Sequence, residues 1–255
     1  MQATFPYLAL HQTAQFYLTG QSLEPQESIS GVETIVPTMR ARWNASATFA
    51  LKDEAATLQW QAFLAQMQGR IGTTLVPCRS RWRPRDRDGH GVTFCDTARL
   101  ADAQTWEHFG FANAAIPRAT VLSGMPLRSS EIDVVFSDST GIRPGQFFSI
   151  NERLHRVQHH WQSAEGVSRI RFEPPLRKAV EAGQALELAR PVCLMRCTSE
   201  TEGLFDQSLD VFPTVTLNFV EADSTPYVAY ESPPDLPIIG VDTDYVAIFE
   251  AAKNA

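Results

Sequence analysis

The chain has 255 residues, enough for one large β domain or two smaller ones and for a substantial hydrophobic core. Its composition is that of an ordinary soluble protein, and no run approaches the roughly 18 consecutive apolar residues of a membrane span. The formal net charge of −7 argues against tight, non-specific binding of nucleic acid through phosphate neutralisation.

The beginning of the chain lacks the features of a secretory signal peptide. No Lys or Arg precedes its apolar residues, which Pro6, His11 and Gln12 interrupt, so we expect the chain to fold in a cytoplasm. Four cysteines occur without CxxC spacing, and in a reducing compartment such residues usually pack as small buried hydrophobic side chains. We therefore expect neither disulfides nor structural zinc at Cys78, Cys95, Cys193 and Cys197.

An N-terminal sheet is predicted from several short strands. Residues 40–51 alternate apolar and polar side chains, which predicts a strand with one buried face. Residues 14–18 and 32–36 predict further strands, separated by a segment containing Gly, Ser and Pro, and residues 71–77 predict another.

One helix is predicted between these strands. Asp53 is the N-cap candidate, Glu54 lies in the first turn, and Gly69 marks the C-terminal stop. Apolar residues recur at helical spacing, so one face of the helix is expected to pack on the sheet. This stripe consists of Ala56, Trp60, Phe63, Leu64 and Met67.

A second β-rich block is predicted over residues 132–197. Residues 92–128, which precede this block, predict only loops and short elements. Short strands separated by regular turns favour a small sandwich or barrel. The predicted strands are 132–136, 146–150, 154–161, 167–172, 185–188 and 192–197. Residues 211–220 alternate again and could complete the first sheet, and the proline-rich residues from 223 onward predict an extended arm.

Five arginines occupy alternate positions from 79 to 87, with a tryptophan among them. An extended backbone would place the five guanidinium groups on one edge, where they could meet carboxylates of another subunit. A solvated loop is the next interpretation, followed by a nucleic-acid site in which the tryptophan stacks on a base. The candidate subunit or partner interface comprises Arg79, Arg81, Trp82, Arg83 and Arg85.

The sequence contains no common signature of a nucleotide-binding or hydrolytic enzyme. The patterns GxGxxG, GxxxxGK[ST], GxSxG and HExxH are all missing, and we expect a non-enzymatic protein. His155, His159 and His160 form the most metal-like cluster; in a strand the first two share a face. No further ligand is evident nearby, so we interpret them as surface or strand-edge histidines rather than zinc ligands.

Several motifs follow one another in a characteristic order. A Ser30-Gly31 segment leads into the alternating strand with Trp43. A helix with the motif WxAFLxxxxGR, in which the first residue is Trp60, comes next and is followed by a strand that starts with Gly72-Thr73. Residues 28–77 thereby resemble the distal tail proteins of long-tailed bacteriophages. Residues 141–158 and 168–197 resemble a second β module of that group, and residues 215–222 resemble the strand that returns to the first domain.

The resemblance implies a mainly β architecture in three parts. Residues 1–78 would form a ring-forming β-sandwich with the flanking helix 53–69, completed by a strand at 208–222. Residues 79–199 would form an inserted small β-sandwich or barrel. Residues 200–255 would contain the returning strand and the proline-rich C-terminal arm.

The resemblance also implies a structural role in a virion. The protein would be made in the host bacterial cytoplasm and form a ring, usually a hexamer, at the distal end of the tail. This homo-oligomer would join the tail tube protein to the hub protein and other tail-tip proteins. DNA would pass through its lumen without specific binding, which the negative net charge favours. No cofactor, metal ion or membrane insertion is implied.

Two alternatives remain open at this point. The first is a hub or tail-tube component of the same assembly. The second is a carbohydrate-binding or carbohydrate-cleaving β-sandwich, which a cleft with exposed Trp or Tyr would indicate, together with two convergent carboxylates in the case of cleavage.

Overall fold

The computed structural model describes residues 2–6, 10–80, 82–85, 89, 117–137, 139–164, 166–204 and 213–222. This part of the chain confirms the prediction of a mainly β protein with one helix and a small barrel. None of its helices is long and apolar enough to cross a membrane. In chain order the elements are β1 (Gln2–Ala3), β2 (Leu10–Thr19), β3 (Gln26–Glu27), β4 (Glu33–Thr34), β5 (Arg42–Ala50), α1 (Glu54–Met67), β6 (Thr73–Pro77), β7 (Arg118–Val121), β8 (Glu131–Ser137), β9 (Phe147–Ile150), β10 (Arg153–Ala164), β11 (Val167–Glu173), β12 (Ala185–Glu187), β13 (Val192–Cys197) and β14 (Thr214–Glu221).

Six strands form a mixed sheet in the order β1-β6-β13-β14-β5-β2. As expected for a strand that completes the first sheet, β14 pairs along nearly its whole length with β5. The strand at 192–197, which we expected in the second β block, belongs to this sheet instead. It pairs with β6 and β14, and its alternate residues Cys193, Met195 and Cys197 are buried in the core of the sheet.

The helix α1 covers one face of the sheet and begins and ends close to the predicted residues. The Asp53 side chain accepts a hydrogen bond from the Ala56 amide at 2.7 Å, which caps the N-terminus. Gln68 in the left-handed conformation ends the helix just before Gly69. The Trp60 ring lies 5.0 Å from the Phe49 ring of β5 and is buried between helix and sheet.

The second β block contains a closed barrel in the order β10-β11-β8-β7-β12-β9. Its strand β7 lies in the stretch for which we predicted only loops and short elements. A separate hydrophobic core fills the barrel and includes Ile132, Phe148, Val157, Ile170 and Phe172. Since β12 pairs with both β7 and β9, the barrel closes without β13.

The barrel packs on the sheet through a few direct contacts. The Trp43 indole Nε1 donates a hydrogen bond to the Leu154 carbonyl at 2.6 Å, and the Trp43 ring lies 5.8 Å from the Phe147 ring. The Leu194 amide of β13 donates to the Glu152 carbonyl at 2.8 Å. The Trp43–Leu154 hydrogen bond is buried, and together these contacts connect the barrel to the sheet.

The strands β3 and β4 pair only with each other and stand apart from the sheet. The prediction that residues 32–36 form a strand of the N-terminal sheet is therefore wrong. Those residues form one side of a hairpin whose side chains are exposed to solvent, so their apolar residues have no core to pack against. We refer to residues 21–37 as the arm; this segment is different from the predicted proline-rich C-terminal arm.

Candidate functional site

In the described residues 79, 80 and 82–85, the arginine side chains do not all lie on one exposed edge as their spacing suggested. Arg81 and Arg87 lie outside the described residues. Arg79 and Arg83 are partly buried, whereas Trp82 and Arg85 are exposed. The Arg83 side chain turns back onto the protein, where Nε donates to the Ser80 carbonyl at 2.9 Å and Nη1 to the Ala189 carbonyl at 3.3 Å.

Positive charge is nevertheless concentrated beside this segment. Burial is the main cause of a lowered pKa of the Arg83 guanidinium. Cys78 acts in the opposite direction, and the neighbouring charges of Arg190 and Arg79 lower this pKa further. An acidic group from a partner would relieve this repulsion. The interpretation of Arg79, Trp82, Arg83 and Arg85 as an interface remains a prediction.

A second basic surface lies where the base of the arm meets the barrel. It is a groove of about 490 Å³, which we call the basic groove. Arg40, Arg128 and Arg177 supply three positive charges, and none of the lining residues is acidic. Aliphatic side chains lie between the arginines, so the groove combines charge with apolar surface. It is lined by Thr38, Met39, Arg40, Leu127, Arg128, Pro175, Leu176 and Arg177.

Hydrogen bonds connect the segments that line the basic groove. The Arg177 guanidinium Nη2 donates to the Ala41 carbonyl at 3.1 Å. The Arg128 amide donates to the Leu176 carbonyl at 2.8 Å and keeps the two barrel loops together. Arg40 and Arg128 have exposed side chains. An extended, acidic and partly apolar segment is the type of ligand that fits such a surface.

The arm is a hairpin that is stabilised by its own backbone. The Leu23 amide donates to the Val36 carbonyl at 2.9 Å, the Thr38 amide to the Gln21 carbonyl at 2.8 Å, and the Ser28 amide to the Val32 carbonyl at 3.0 Å. If fully extended, at about 3.3 Å per residue, the seven steps from position 22 to position 29 would span at most about 23 Å. The arm thus presents an exposed hairpin to other molecules.

The surface of the arm is both apolar and acidic. It contains three glutamates, Glu24, Glu27 and Glu33, and neither Lys nor Arg. Every residue of the arm is exposed. A cluster of exposed large apolar side chains commonly marks a surface that binds another protein. The large apolar side chains of the arm are Leu23, Ile29, Val32, Ile35 and Val36.

The three histidines do not form the arrangement that a regular strand would give. His155 is fully buried in the barrel, stacked 5.3 Å from Phe148, so its interpretation as a surface or strand-edge residue is wrong. A β-bulge between Val157 and His159 changes the alternation of β10. As a result His159 is exposed and His160 is the one that turns partly inward, its ring 5.9 Å from Phe136.

The cysteines in the described residues are packed in the interior, as predicted. Cys78, Cys193 and Cys197 are free thiols and all three are buried. Burial raises the pKa of Cys78 to about 12 and that of Cys197 to about 11, so both are protonated at neutral pH. Cys95 lies outside the described residues. The described part of the chain holds no group of three His, Cys, Asp or Glu side chains placed to bind a metal ion.

Sequence reasoning missed the basic groove and the exposed character of the arm. The groove assembles Arg40, Arg128 and Arg177 from three distant segments, and no local spacing connects them. The arm offered one signal, its lack of any basic residue beside three glutamates. The chain matches no protein-family model, and no curated protein matches it.

Proposed function

We propose that this protein is a structural component of a bacteriophage tail, forming a ring, expected to be hexameric, at the distal end. The ring joins the tail tube to the hub and the adhesion apparatus. The role requires assembly and no catalysis. A hub or tail-tube position in the same assembly is the nearest alternative.

The observation that carries the proposal is the open six-stranded sheet. Within the described residues, β1 and β2 are its two edge strands, and they lie at opposite ends of the strand order. An edge strand presents unpaired backbone groups that another chain can bind. Edges at opposite ends of one sheet allow head-to-tail contacts between identical subunits, and such contacts close into a ring when the rotation between subunits permits.

The segments that resemble distal tail proteins lie together in the structure. The strand with Trp43, the helix α1 and β6 are consecutive in sequence and all contribute to the first core. The resembling strand at 215–222 corresponds to β14, which pairs with β5. The order of these segments and their shared core support the proposal.

The carbohydrate-binding alternative is less well supported by the described surface. The basic groove is lined by arginines and aliphatic side chains, without Trp or Tyr. Trp82 and Trp161 are exposed, but neither lines the groove. Sugar-binding clefts commonly present an aromatic ring to the sugar face, so the basic groove does not favour this function.

The proposal is tested by measuring the mass of the purified chain by light scattering over a wide concentration range. Six copies of the 28.4 kDa chain correspond to about 170 kDa for a closed association. Electron microscopy should show this species as a ring. A monomer at every concentration, or an open filament, would contradict the ring.

The sheet edge is tested with a matched pair of substitutions. Tyr17→Lys places a charge on β2, and Leu58→Lys replaces a similarly exposed side chain on α1. A lysine on an edge strand opposes strand pairing between molecules. We expect Tyr17→Lys to raise the concentration needed for assembly and Leu58→Lys to leave it unchanged. Antibody labelling of intact phage particles then tests the position, with label expected at the tail end far from the head.

A further inference from the structure

We propose that the arm of one copy of this chain binds in the basic groove of a neighbouring copy. The inference rests on the proposed function for the existence of a neighbouring copy. The inference specifies the two surfaces that meet, the arm and the basic groove, and the charges that pair between them. Three observations support it: the exposure of the arm, the opposite charge of the two surfaces, and the exposed apolar side chains on both.

The exposure of the arm has a free-energy consequence. An isolated two-stranded hairpin is only marginally stable in water, because it buries little apolar surface. Ile29 at the tip is fully exposed, Val32 is more than half exposed, and Leu23 is about half exposed. These side chains contribute to stability only when another surface covers them.

The charges of the two surfaces are complementary. The arm contains Glu24, Glu27 and Glu33 without a basic residue, and the groove contains three arginines without an acidic lining residue. The buried carboxylate of Glu221 is paired with Arg153 and also lies 3.9 Å from Arg177 Nη1, so it already balances charge on that side of the groove. Arg40 and Arg128 have exposed side chains, and a glutamate from another copy would meet their positive charge.

The apolar surfaces match as well. Leu127 at the groove is 53% exposed, and Met39 is 64% exposed. Both flank the arginines and belong to the groove lining. Covering them with apolar side chains of the arm would remove hydrophobic surface of both copies from water. Since every copy carries both an arm and a groove, each subunit would donate one arm and accept one.

The test exchanges the charges of the two surfaces. The arm variant carries Glu24→Lys, Glu27→Lys and Glu33→Lys, and the groove variant carries Arg40→Glu and Arg128→Glu. Arg177 is kept because it bonds the Ala41 carbonyl. A combined variant carries all five changes. A control variant carries Glu54→Lys, Glu181→Lys and Glu200→Lys, three exposed glutamates elsewhere on the protein.

The readout is the mass of each full-length variant by light scattering, after circular dichroism and the Tm have shown that it is folded. We expect the arm and groove variants each to need at least about tenfold more protein for half-assembly. The combined variant should assemble like the original chain, because its charges again attract. The control variant should assemble like the original chain as well.

Other results separate this inference from the proposed ring. If both single-surface variants assemble normally into rings, the arm–groove contact is wrong while the ring stands. If they dissociate and the combined variant restores open chains rather than rings, the contact stands and the ring is wrong. Dissociation of the groove variant alone would assign the groove to another occupant and overturn the inference. A monomer at all concentrations would also overturn it.

Discussion

Arg153 and Glu221 form a buried ion pair at the contact between barrel and sheet, with Arg153 Nε 2.5 Å from Glu221 Oε1. Each residue of the pair also forms hydrogen bonds with the backbone. Arg153 donates to the Pro175 carbonyl at 2.6 Å and to the Ala41 carbonyl at 3.2 Å, while Glu221 accepts from the Trp43 amide at 2.9 Å. These two residues therefore connect β14 of the sheet to β10 of the barrel.

Removing one partner of this pair should strongly destabilise the protein. Glu221→Gln leaves the Arg153 guanidinium buried without its counter-charge, for which we expect a loss of about 3–5 kcal/mol in the free energy of unfolding. Urea denaturation measures this loss. The control is Asp133→Asn, which removes the partner of Arg169 on the barrel surface. An equal loss in both variants would contradict the importance of burial at Glu221.

His155 should make stability depend on pH. Burial, and in second place the charge of Arg153, lowers its pKa from 6.5 to about 3, and Nδ1 donates to the Pro174 carbonyl at 2.8 Å. At a pH between about 3 and 6.5, His155 therefore binds a proton in the unfolded chain but not in the folded chain. Stability contributed by neutral His155 is thus complete above pH 6.5 and falls by about 1.4 kcal/mol per pH unit below it.

This dependence is measured by urea denaturation between pH 7 and pH 4. His155→Phe keeps an aromatic ring among Phe148 and Phe172 but cannot bind a proton. We expect a shallower pH dependence in this variant. His159→Phe, at an exposed position on the same strand, should retain the original dependence. Identical slopes for the original chain and His155→Phe would show that His155 is not responsible.

A side chain at Gly203 should destabilise the protein. Its φ is +76°, and a Cβ there would lie 2.8 Å from Leu217 Cδ2 and 3.0 Å from Leu64 Cδ2, next to the Trp60 indole that donates to its carbonyl. Gly166 has a similar φ of +72° but open space around the added atom. We expect Gly166→Ala to cost about 1 kcal/mol from backbone strain. Gly203→Ala should cost about 1–3 kcal/mol more through overpacking.

Thermal unfolding of the two alanine variants separates these effects. The difference between their Tm values reports the crowding at Gly203, because the backbone strain is shared. Equal Tm values would mean that Leu64 and Leu217 move aside without loss of packing.

The buried cysteines should resist alkylation in the folded protein. The thiolate is the reactive form, and burial raises the pKa of Cys78 to about 12 and that of Cys197 to about 11. With iodoacetamide at pH 8, we expect slow modification of Cys78, Cys193 and Cys197 and rapid modification in urea. Mass spectrometry of the separate peptides measures each site. Rapid labelling of Cys193 in the folded chain would contradict its burial.

Local patterns in the sequence predicted the elements that depend on local interactions. The cap at Asp53, the buried stripe of α1 and the alternation around Trp43 and Phe49 are all found in the structure. Each reflects a period of 3.6 or 2 residues imposed by one buried face. The return of β14 to β5 was also suggested by its alternation.

Features that depend on distant segments were not predictable in this way. The strand β13 has the same alternating pattern whether it joins the barrel or the sheet, so its sequence did not decide its place. The bulge in β10 shifts His159 and His160 by one position without a Gly or Pro to mark it. The basic groove brings Arg40 beside Arg128 and Arg177, which only the packing of the barrel on the sheet can do.

The position of β14 also sets an order for synthesis and folding. This strand lies between β13 and β5, so without it the sheet is two separate three- and two-stranded pieces. The barrel strands lie between positions 118 and 187 and are complete earlier in translation. The nascent chain can therefore close the barrel first, while the two pieces of the sheet are joined only after β14 has been made. Until then the edge of β5 that pairs with β14 presents unpaired backbone groups to other chains.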